Sequence, residues 1–436
     1  MKRSQNLFRL AAIAATCIAG PALATNGYFP HGYGMKAKGM AGASMGMAQD
    51  SLGGATNPAG MAFAGSRWDI GLDVFMPKRD AQRTGATGVF GGMNGKVESD
   101  KERFFIPEFG YNLMLGSNMS LGLTVYGNGG MNTTYPTGNF ECNGQPGAEN
   151  ILCGNGTLGV DLMQLIVAPT FAYKLNAQHA LGVSVLLGYQ RFKAQGLQAF
   201  DNAPGFPPFT GAPGSVTNNG YDSSTGFGLR LGYHGRISDA FTIGAAYAPK
   251  MNMGKFDKYK GLFAGAGDFD IPSHYAVGVA FRPVPALTIA FDAGRINYSD
   301  VAAVNNPSSN QAPLGAANGP GFGWRDINVY KLGVAWSPSD ALTLRAGYNK
   351  GDNPITSNDV SFNILAPGVI TEHYTAGITL ALNKDSEITG MFMIAPRQSV
   401  TGPSFLNGFA PPGSSGGNET ITMKQSSFGL AWGRKF

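Results

Sequence analysis

Apolar and polar residues alternate in many separate segments along the chain. Between positions 325 and 338, the large apolar side chains share one parity: Tyr330, Leu332, Val334 and Trp336. The other parity holds smaller or charged residues: Lys331, Gly333 and Ala335. Successive side chains of a β-strand point to opposite faces, so this alternation predicts strands with one apolar and one more polar face.

Fourteen segments follow this pattern and end at turn residues. The predicted strands cover residues 67–77, 103–115, 119–127, 163–175, 179–192, 222–237, 241–250, 272–283, 286–298, 325–338, 341–349, 372–383, 385–396 and 421–436.

The connections between these strands alternate strictly in length. Short ones lie at 116–118, 176–178, 238–240, 284–285 and 339–340 and at the single residue Lys384. Between them are loops of roughly 20 to 35 residues, rich in Gly, Pro, Asn and Ser. Short turns on one side, long loops on the other and an even strand number predict an all-β membrane protein, a 14-stranded antiparallel transmembrane β-barrel. A β-sandwich or a propeller has no reason to sort its loops in this way.

Composition agrees with a barrel. The chain has 64 Gly, 14% charged residues and a mean hydropathy of −0.07. After residues 1–24, no run of the sequence approaches the ~20 apolar residues of a membrane-spanning helix. The net charge of +5 is not clustered, so we expect no nucleic-acid partner.

Residues 1–24 are predicted to be a signal peptide, with Lys2 and Arg3 before the apolar run 10–18 and Ala22-Leu23-Ala24 as the cleavage site. Lipid attachment at Cys17 is disfavoured, because the residue before a lipidated cysteine is usually a small Ala or Gly and here it is Thr16. Cys142 and Cys153 lie 11 positions apart in a Gly-rich segment. In an exported protein they predict a disulfide, the alternative being two free thiols.

Residues 25–66 are rich in Gly, Ala and Met and show no strand pattern. We expect a compact N-terminal hatch that fills the barrel, 67–436, and the alternative is a disordered periplasmic tail. In the last strand, Phe428, Leu430, Trp432 and Phe436 share one parity. This resembles the C-terminal signature that the barrel-assembly machinery recognises.

The hatch contains the motif Asn57-Pro58-Ala59, and further motifs lie at 106–110, 271–273, 278–283, 324–326, 330–334 and 344–348. In their order and spacing these motifs resemble the FadL/TodX family of outer-membrane transporters for long-chain fatty acids and aromatic hydrocarbons, which has an Asn-Pro-Ala element in its hatch. The likeness covers essentially the whole mature chain.

The resemblance implies passive uptake of hydrophobic small molecules across the outer membrane. Ligands would dock on extracellular loops and leave sideways beside a kinked third strand. Gly127, Gly129 and Gly130 would form this lateral opening, although they also fit a plain loop start.

Aromatic and apolar side chains in the third and fourth long loops suggest an exposed landing groove, or loops that pack together. They are Phe200, Phe206, Phe209, Leu262, Phe263 and Phe269. Four cations have the parity of the lumen, where they would hold a carboxylate or pair across the wall. They are Arg230, Arg282, Lys331 and Arg345.

Other functions fit less well. A phospholipase needs a nucleophile beside a His, and the chain's five His show no such motif, so we expect no enzyme. A general porin for small hydrophilic solutes is the main alternative, although porins need many charges. We expect no cofactor and no metal. The expected partners are hydrophobic small molecules, outer-membrane lipid and lipopolysaccharide, and the barrel-assembly machinery; the sequence does not name the ligand.

Overall fold

The computed structural model describes residues 26–138, 140–142, 149–202, 204 and 208–436. The predicted signal peptide lies outside the described residues. Fourteen long strands and two short ones form one antiparallel sheet. The barrel strands are β1 (Arg67–Thr84), β3 (Phe104–Leu115), β4 (Met119–Asn132), β5 (Gly159–Lys174), β6 (His179–Gln195), β7 (Asp222–Arg236), β8 (Phe241–Ala248), β10 (His274–Val284), β11 (Leu287–Ile296), β12 (Ile327–Ser339), β13 (Leu342–Gly351), β14 (Glu372–Ala381), β15 (Ser386–Pro403) and β16 (Asn418–Lys435). The short strands are β2 (Gly95–Glu98), on β1, and β9 (Asn252–Met253), on β7.

The sheet closes on itself because β16 pairs with β1, from Arg67 opposite Lys435 to Thr84 opposite Asn418. The predicted fourteen-stranded barrel is thereby confirmed. Across the described residues, none of the helices is long and apolar enough to cross a membrane.

Three strands are longer than predicted. β1, β4 and β15 continue to Thr84, Asn132 and Pro403, whereas the sequence pattern ended them at 77, 127 and 396. In β1 the outward positions beyond Met76 become polar, while inward residues such as Ala81 and Arg83 stay buried. The apolar alternation that marks a strand therefore disappears before the strand ends.

The turn predicted at Lys384 alone is wrong. β14 ends at Ala381 and β15 begins at Ser386, so four residues make the connection. The Asn383 side chain accepts hydrogen bonds of 3.0 Å from the backbone N–H groups of Asp385 and Ser386. Such a side chain–backbone turn needs more than one residue.

The predicted facing of the strands is confirmed by exposure. Tyr330, Leu332 and Trp336 are each nearly half exposed, whereas Gly333 and Ala335 are buried. At the short-turn end, aromatic rings meet around the wall, as Trp68 does with Trp432 (ring centroids 4.7 Å apart). The large exposed side chains thus form an apolar outer band for lipid.

Residues 26–66, hereafter the N-terminal segment, run through the barrel interior. They form α1 (Met35–Lys38), α2 (Gly53–Thr56) and a 3₁₀ helix (Pro58–Phe63). They contact inward-facing residues of all fourteen barrel strands. From β1 to β16 these residues include Asp69, Gly110, Thr124, Thr170, Ser184, Arg230, Thr242, Gly278, Asp292, Gly333, Gly347, Thr375, Glu387 and Gly429.

Glycine makes this close approach possible. On ten strands an inward glycine lies so near the N-terminal segment that an added Cβ would press into it. They are Gly110, Gly122, Gly182, Gly232, Gly244, Gly278, Gly333, Gly347, Gly377 and Gly429. Ten of the chain's 64 glycines therefore line the space that the segment occupies.

The long loops hold short helices and fold over one end of the barrel. Among the described loop residues, α4 (Ala302–Asn305) and α5 (Val360–Asn363) are α-helical, and α3 (Ala264–Gly267) is a single turn whose two middle residues have left-handed dihedral angles. The 3₁₀ helices are Gly88–Met93, Gln198–Phe200, Asp257–Tyr259, Tyr298–Asp300, Ser357–Asp359 and Phe405–Phe409. Cys142 and Cys153 form the predicted disulfide.

Candidate functional site: an apolar cavity above a filled lumen

An apolar cavity of about 630 Å³, counted with its mouth, lies among the long loops. Its walls come from six parts of the chain that are far apart in sequence. The lining residues are Leu152, Val160, Phe192, Leu197, Phe200, Leu262, Phe263, Ala303, Leu314, Pro320, Gly321, Phe322, Ser361, Phe362, Leu365 and Phe405. Ser361 supplies the one side-chain hydroxyl of this lining, and that hydroxyl already donates to Glu419. The cavity can hold an apolar molecule and offers it no charged group.

The predicted landing-groove residues surround this cavity. Phe200, Leu262 and Phe263 line it. The Phe209 ring is tilted against that of Phe200, with ring centroids 5.3 Å apart, and the Phe269 ring lies 5.0 Å from that of Phe263. Phe206 lies outside the described residues.

The landing-groove prediction is wrong about exposure, because the loops bury several of these side chains. Phe263 is 5% exposed and Phe269 is fully buried. They are buried because the loops fold over one another and enclose the apolar side chains instead of leaving them in water. The exposed ring is Phe409, which is 47% accessible and lies edge-on to Phe209 at 5.7 Å.

A cluster of aromatic rings lies next to the cavity and contacts two of its lining residues, Phe263 and Phe322. Tyr28 of the N-terminal segment is fully buried, and its ring packs against Phe269, Tyr298 and Trp324 at 5.4 to 6.1 Å. The Tyr298 hydroxyl donates to the Asn26 carbonyl at 2.6 Å, and burial raises the pKa of this phenol. The N-terminal end of the segment is thus packed against the aromatic cluster that adjoins the cavity.

A second, more polar cavity of about 760 Å³ lies between the N-terminal segment and the inner wall. Phe29 and Tyr33 face it from the segment, and Arg230, Asp292 and Lys331 face it from the wall. The Asp292 carboxylate accepts from the backbone N–H groups of Ser44 and Met45 through one oxygen, while Oδ1 has no hydrogen-bond partner among the described residues.

The four predicted lumen cations have different surroundings. Arg230 donates to the Gly54 and Ala55 carbonyls at 3.1 and 2.5 Å, so it holds the N-terminal segment. Arg345 donates to Thr379 at 2.6 Å. Arg282 has lumen parity but is exposed beside the short turn after β10. Lys331 faces the polar cavity, and within the described structure no hydrogen bond of its amine is found.

The barrel wall is interrupted between β3 and β4. Their pairing ends at Phe109 opposite Val125. Above this point Phe104–Glu108 pair with β1 alone, and Tyr126–Asn132 pair with β5 alone. The register of β4 shifts between Gly127 and Gly129, which makes Asn128 a bulge.

The predicted glycines therefore lie at a bulge, and β4 does not end there as the sequence pattern indicated. The N-terminal segment backs this wall gap from inside. The Tyr33 ring lies 4.6 Å from that of Tyr126, and Gly130 donates its N–H to the Tyr28 carbonyl at 3.3 Å. An added Cβ at Gly129 would overlap Tyr28.

The predicted hatch motif anchors the far end of the N-terminal segment. Asn57 caps the 3₁₀ helix by accepting from the Ala59 N–H at 3.2 Å. Its amide donates to the Tyr233 carbonyl of β7 and to the Met45 carbonyl at 2.8 and 2.9 Å. Pro58 fixes the first residue of the helix, and both Pro58 and Ala59 are buried.

A family model described as "Outer membrane protein transport protein (OMPP1/FadL/TodX)" matches residues 15–401. This chain belongs to that family. The match begins before the N-terminal segment and ends within β15, so it includes the wall gap and every cavity-lining residue except Phe405. It confirms the family that the sequence motifs indicated and places the protein in the outer membrane.

Solved structures of the family share the fold. The Pseudomonas putida toluene transporter TodX is 20% identical, with 94% of this chain and 100% of that chain covered and a TM-score of 0.68. A Pseudomonas aeruginosa FadL homologue is 17% identical, with 96% and 99% covered and a TM-score of 0.64. The Ralstonia pickettii toluene transporter TbuX is 17% identical, with 93% and 99% covered and a TM-score of 0.63. A comparison with curated protein sequences finds no match.

Several cavity residues were not predicted from the sequence. Phe405 and Phe409 lie in the last long loop, and Phe362 and Leu365 lie in the loop before it. Apolar rings in Gly- and Pro-rich loops are the same signal that identified Phe200 and Phe263, and applying it to every loop would have found them.

Proposed function

We propose that this protein is a passive outer-membrane channel for hydrophobic compounds. The observation that carries the proposal is the apolar cavity, because a molecule within it exchanges water for phenylalanine and leucine side chains. Lipopolysaccharide resists apolar solutes and water-filled porins exclude them, so such solutes need a dry route through the outer leaflet.

The proposed route begins at Phe409, the exposed ring. Its contacts lead through Phe209 to Phe200, which lines the cavity. From the cavity the solute would displace the Tyr28 region of the N-terminal segment. It would then leave into the membrane through the wall gap between β3 and β4, where Gly127, Gly129 and Gly130 would form the lateral opening.

In this proposal the N-terminal segment is the hatch. Its contacts with all fourteen strands would obstruct the passage of water and ions, although the polar cavity remains beside it. A general porin for hydrophilic solutes is therefore the weaker candidate, and an enzymatic role has no supporting constellation among the described histidines.

We infer that small neutral hydrocarbons fit the first cavity better than fatty acids. The lining of this cavity has no cation for a carboxylate. Two similar structures are of toluene transporters, which is consistent with this class. Lys331 is the one predicted cation left to meet an anionic group, in the lower cavity. The exposed C-terminal Phe436 remains the proposed recognition signal for the barrel-assembly machinery.

The experiment measures uptake of radiolabelled toluene and oleate by cells that lack their own transporter. Ala303→Phe adds a ring inside the cavity, and Ala302→Phe adds the same ring at the exposed neighbouring position of α4. We expect toluene uptake by the original protein and by the Ala302 variant, and its loss in the Ala303 variant. Equal uptake by both variants would exclude the cavity from the route.

A second pair of variants tests the lateral exit. Gly129→Leu would overlap Tyr28 and place a bulky side chain at the wall gap, whereas Gly91→Leu adds the same side chain where no atom lies within 4 Å. We expect only the first to reduce toluene uptake. Uptake of small sugars without uptake of toluene or oleate would make the porin the better account.

A further inference from the structure

Three cations lie side by side on the outer surface of the barrel, on three neighbouring strands. Lys78 of β1 is directly opposite Lys424 of β16. Arg397 of β15 lies at the register shift that faces Lys424 from the other side. All three are exposed. These residues are hereafter the cationic patch.

The charges of the cationic patch are incompletely neutralised. Lys424 makes no ion pair or hydrogen bond among the described residues. The carboxylate nearest to Lys78 belongs to Glu102, at 3.7 Å, which is beyond hydrogen-bond distance. Arg397 donates to Asp80 at 2.9 Å, and Asp80 also lies 3.7 Å from Lys96. Like charges directly opposite on paired strands are unfavourable, so an anion between Lys78 and Lys424 would relieve a repulsion.

The height of the cationic patch places it at one edge of the membrane. Along β16, ten residues separate Arg434, beside the short turns, from Lys424. Ten residues at about 3.4 Å each, tilted by about 40°, span about 26 Å, which matches the ~25 Å apolar band of an outer-membrane barrel. The long loops lie beyond Lys424, so the patch is at the outer leaflet's headgroup level.

The outward side chains of these strands change from apolar to cationic to hydroxyl-bearing along the strand direction. Below the patch it is apolar, with Ile394, Phe428 and Leu430 each nearly half exposed. Above it, hydroxyl groups pair across β15 and β16: Thr401 with Thr420 at 2.8 Å, and Ser399 with Thr422 at 3.0 Å. The three levels would meet acyl chains, then anionic groups, then sugar hydroxyls.

We propose that this face binds the lipid A part of lipopolysaccharide, with the phosphates held by Lys78, Arg397 and Lys424. A phosphorylated glycolipid carries acyl chains, phosphates and sugars in the order in which the surface offers their partners. The guanidinium and ammonium groups donate charge-assisted hydrogen bonds to phosphate oxygens. The accessible hydroxyls above, on Ser399, Thr401 and Thr420, would exchange hydrogen bonds with sugars, whereas Thr422 is buried. The site is separate from the cavities and does not depend on the transported compound.

The test uses the purified, folded full-length barrel in neutral detergent, titrated with bisphosphorylated lipid A and followed by native mass spectrometry. The patch variant carries Lys78→Gln, Arg397→Gln and Lys424→Gln. The control carries the same number of substitutions at the short-turn end: Lys384→Gln, Arg434→Gln and Lys435→Gln. We expect lipid A to bind the patch variant at least about tenfold more weakly than the original protein or the control.

Two further ligands identify what the surface recognises. Dephosphorylated lipid A should bind the original protein as weakly as phosphorylated lipid A binds the patch variant. Phosphatidylglycerol should bind more weakly than lipid A, because it lacks the sugars. Equal binding by the patch and control variants, or equal binding of phosphatidylglycerol and lipid A, would overturn the proposal. If the triple variant does not fold, Lys424→Gln alone removes the unpaired charge and is scored in the same way.

Discussion

The Thr133 hydroxyl donates a 2.8 Å hydrogen bond to the Leu365 carbonyl. Thr133 follows the last residue of the bulged strand β4, and Leu365 lines the apolar cavity. This bond joins the loop that encloses the cavity to the strand that borders the wall gap. A ligand that moves Leu365 therefore acts on β4 through a direct contact.

Thr133→Val is expected to weaken the attachment of the Leu365 loop to the end of β4. Valine has the shape of threonine without its hydroxyl, so the buried Leu365 carbonyl loses a bond worth about 1 kcal/mol. Faster proteolysis of the loop 352–371 would report the change. Thr134→Val is the control, because the Thr134 hydroxyl donates to the neighbouring Thr133 carbonyl instead. Identical digestion of the two variants would refute the role of the bond.

Gly244→Ala should displace the N-terminal segment from β8. An added Cβ there would overlap the Met45 backbone carbonyl, which has no freedom to rotate away. Overpacking of this kind costs about 1–3 kcal/mol. We expect higher ion conductance in planar bilayers, because a displaced segment opens the lumen.

Gly390→Ala provides the comparison for conductance. The nearest atoms to its added Cβ are the side chains of Ile378 and Leu430, at 3.5 and 3.7 Å, which is ordinary contact. Its conductance should equal that of the original protein. A Gly244 variant that conducts no better than the Gly390 variant would show that the segment tolerates the methyl group.

Glu419→Gln is expected to lower the free energy of unfolding by about 3 kcal/mol, because it leaves a buried guanidinium without its counter-ion. Arg83 and Glu419 are both fully buried, and Arg83 Nη2 lies 2.5 Å from Glu419 Oε1. Ser404 also donates to Glu419, so the carboxylate joins β1, β16 and two loops. The measurement is a guanidinium chloride titration followed by tryptophan fluorescence.

The matched exposed pair is Lys350 with Glu372, at 2.6 Å. Glu372→Gln should cost less than about 1 kcal/mol, because water screens such a pair. A Glu419 variant as stable as the Glu372 variant would contradict the expected cost of the buried charge.

Asp268, in the loop between β9 and β10, should make that loop sensitive to pH. Burial and the neighbouring Asp270 raise the pKa of the Asp268 carboxyl. A raised folded-state pKa favours the folded loop while the group is protonated, and this contribution is lost as the pH rises through that pKa. Asp268→Asn should therefore slow amide hydrogen exchange of 249–273 at pH 7 more than at pH 4.

Asp257→Asn, at an exposed position of the same loop, is the control. It removes the same charge without relieving a buried carboxylate. An exchange rate that changes equally in the Asp268 and Asp257 variants would point to net charge as the cause.

The sequence was sufficient to predict the barrel, because the alternation of apolar and polar residues depends only on the two faces of each strand. It identified Phe200 and Phe263 as parts of an apolar surface. It missed Leu365 and Phe405, since the cavity exists only where loops distant in sequence meet. It could not separate Lys331 from Arg230, which share lumen parity. What distinguishes them is the path of the N-terminal segment, whose carbonyls take up Arg230 and leave Lys331 facing open space.

The contacts of the N-terminal segment with all fourteen strands also order the assembly of the molecule. Its seat is complete only after β16 has paired with β1, because both strands supply part of the surface against which it rests. The segment precedes every strand in the chain, yet it can take its final position only once the barrel has closed. The N-terminal segment is therefore the last part of the barrel interior to reach its final position.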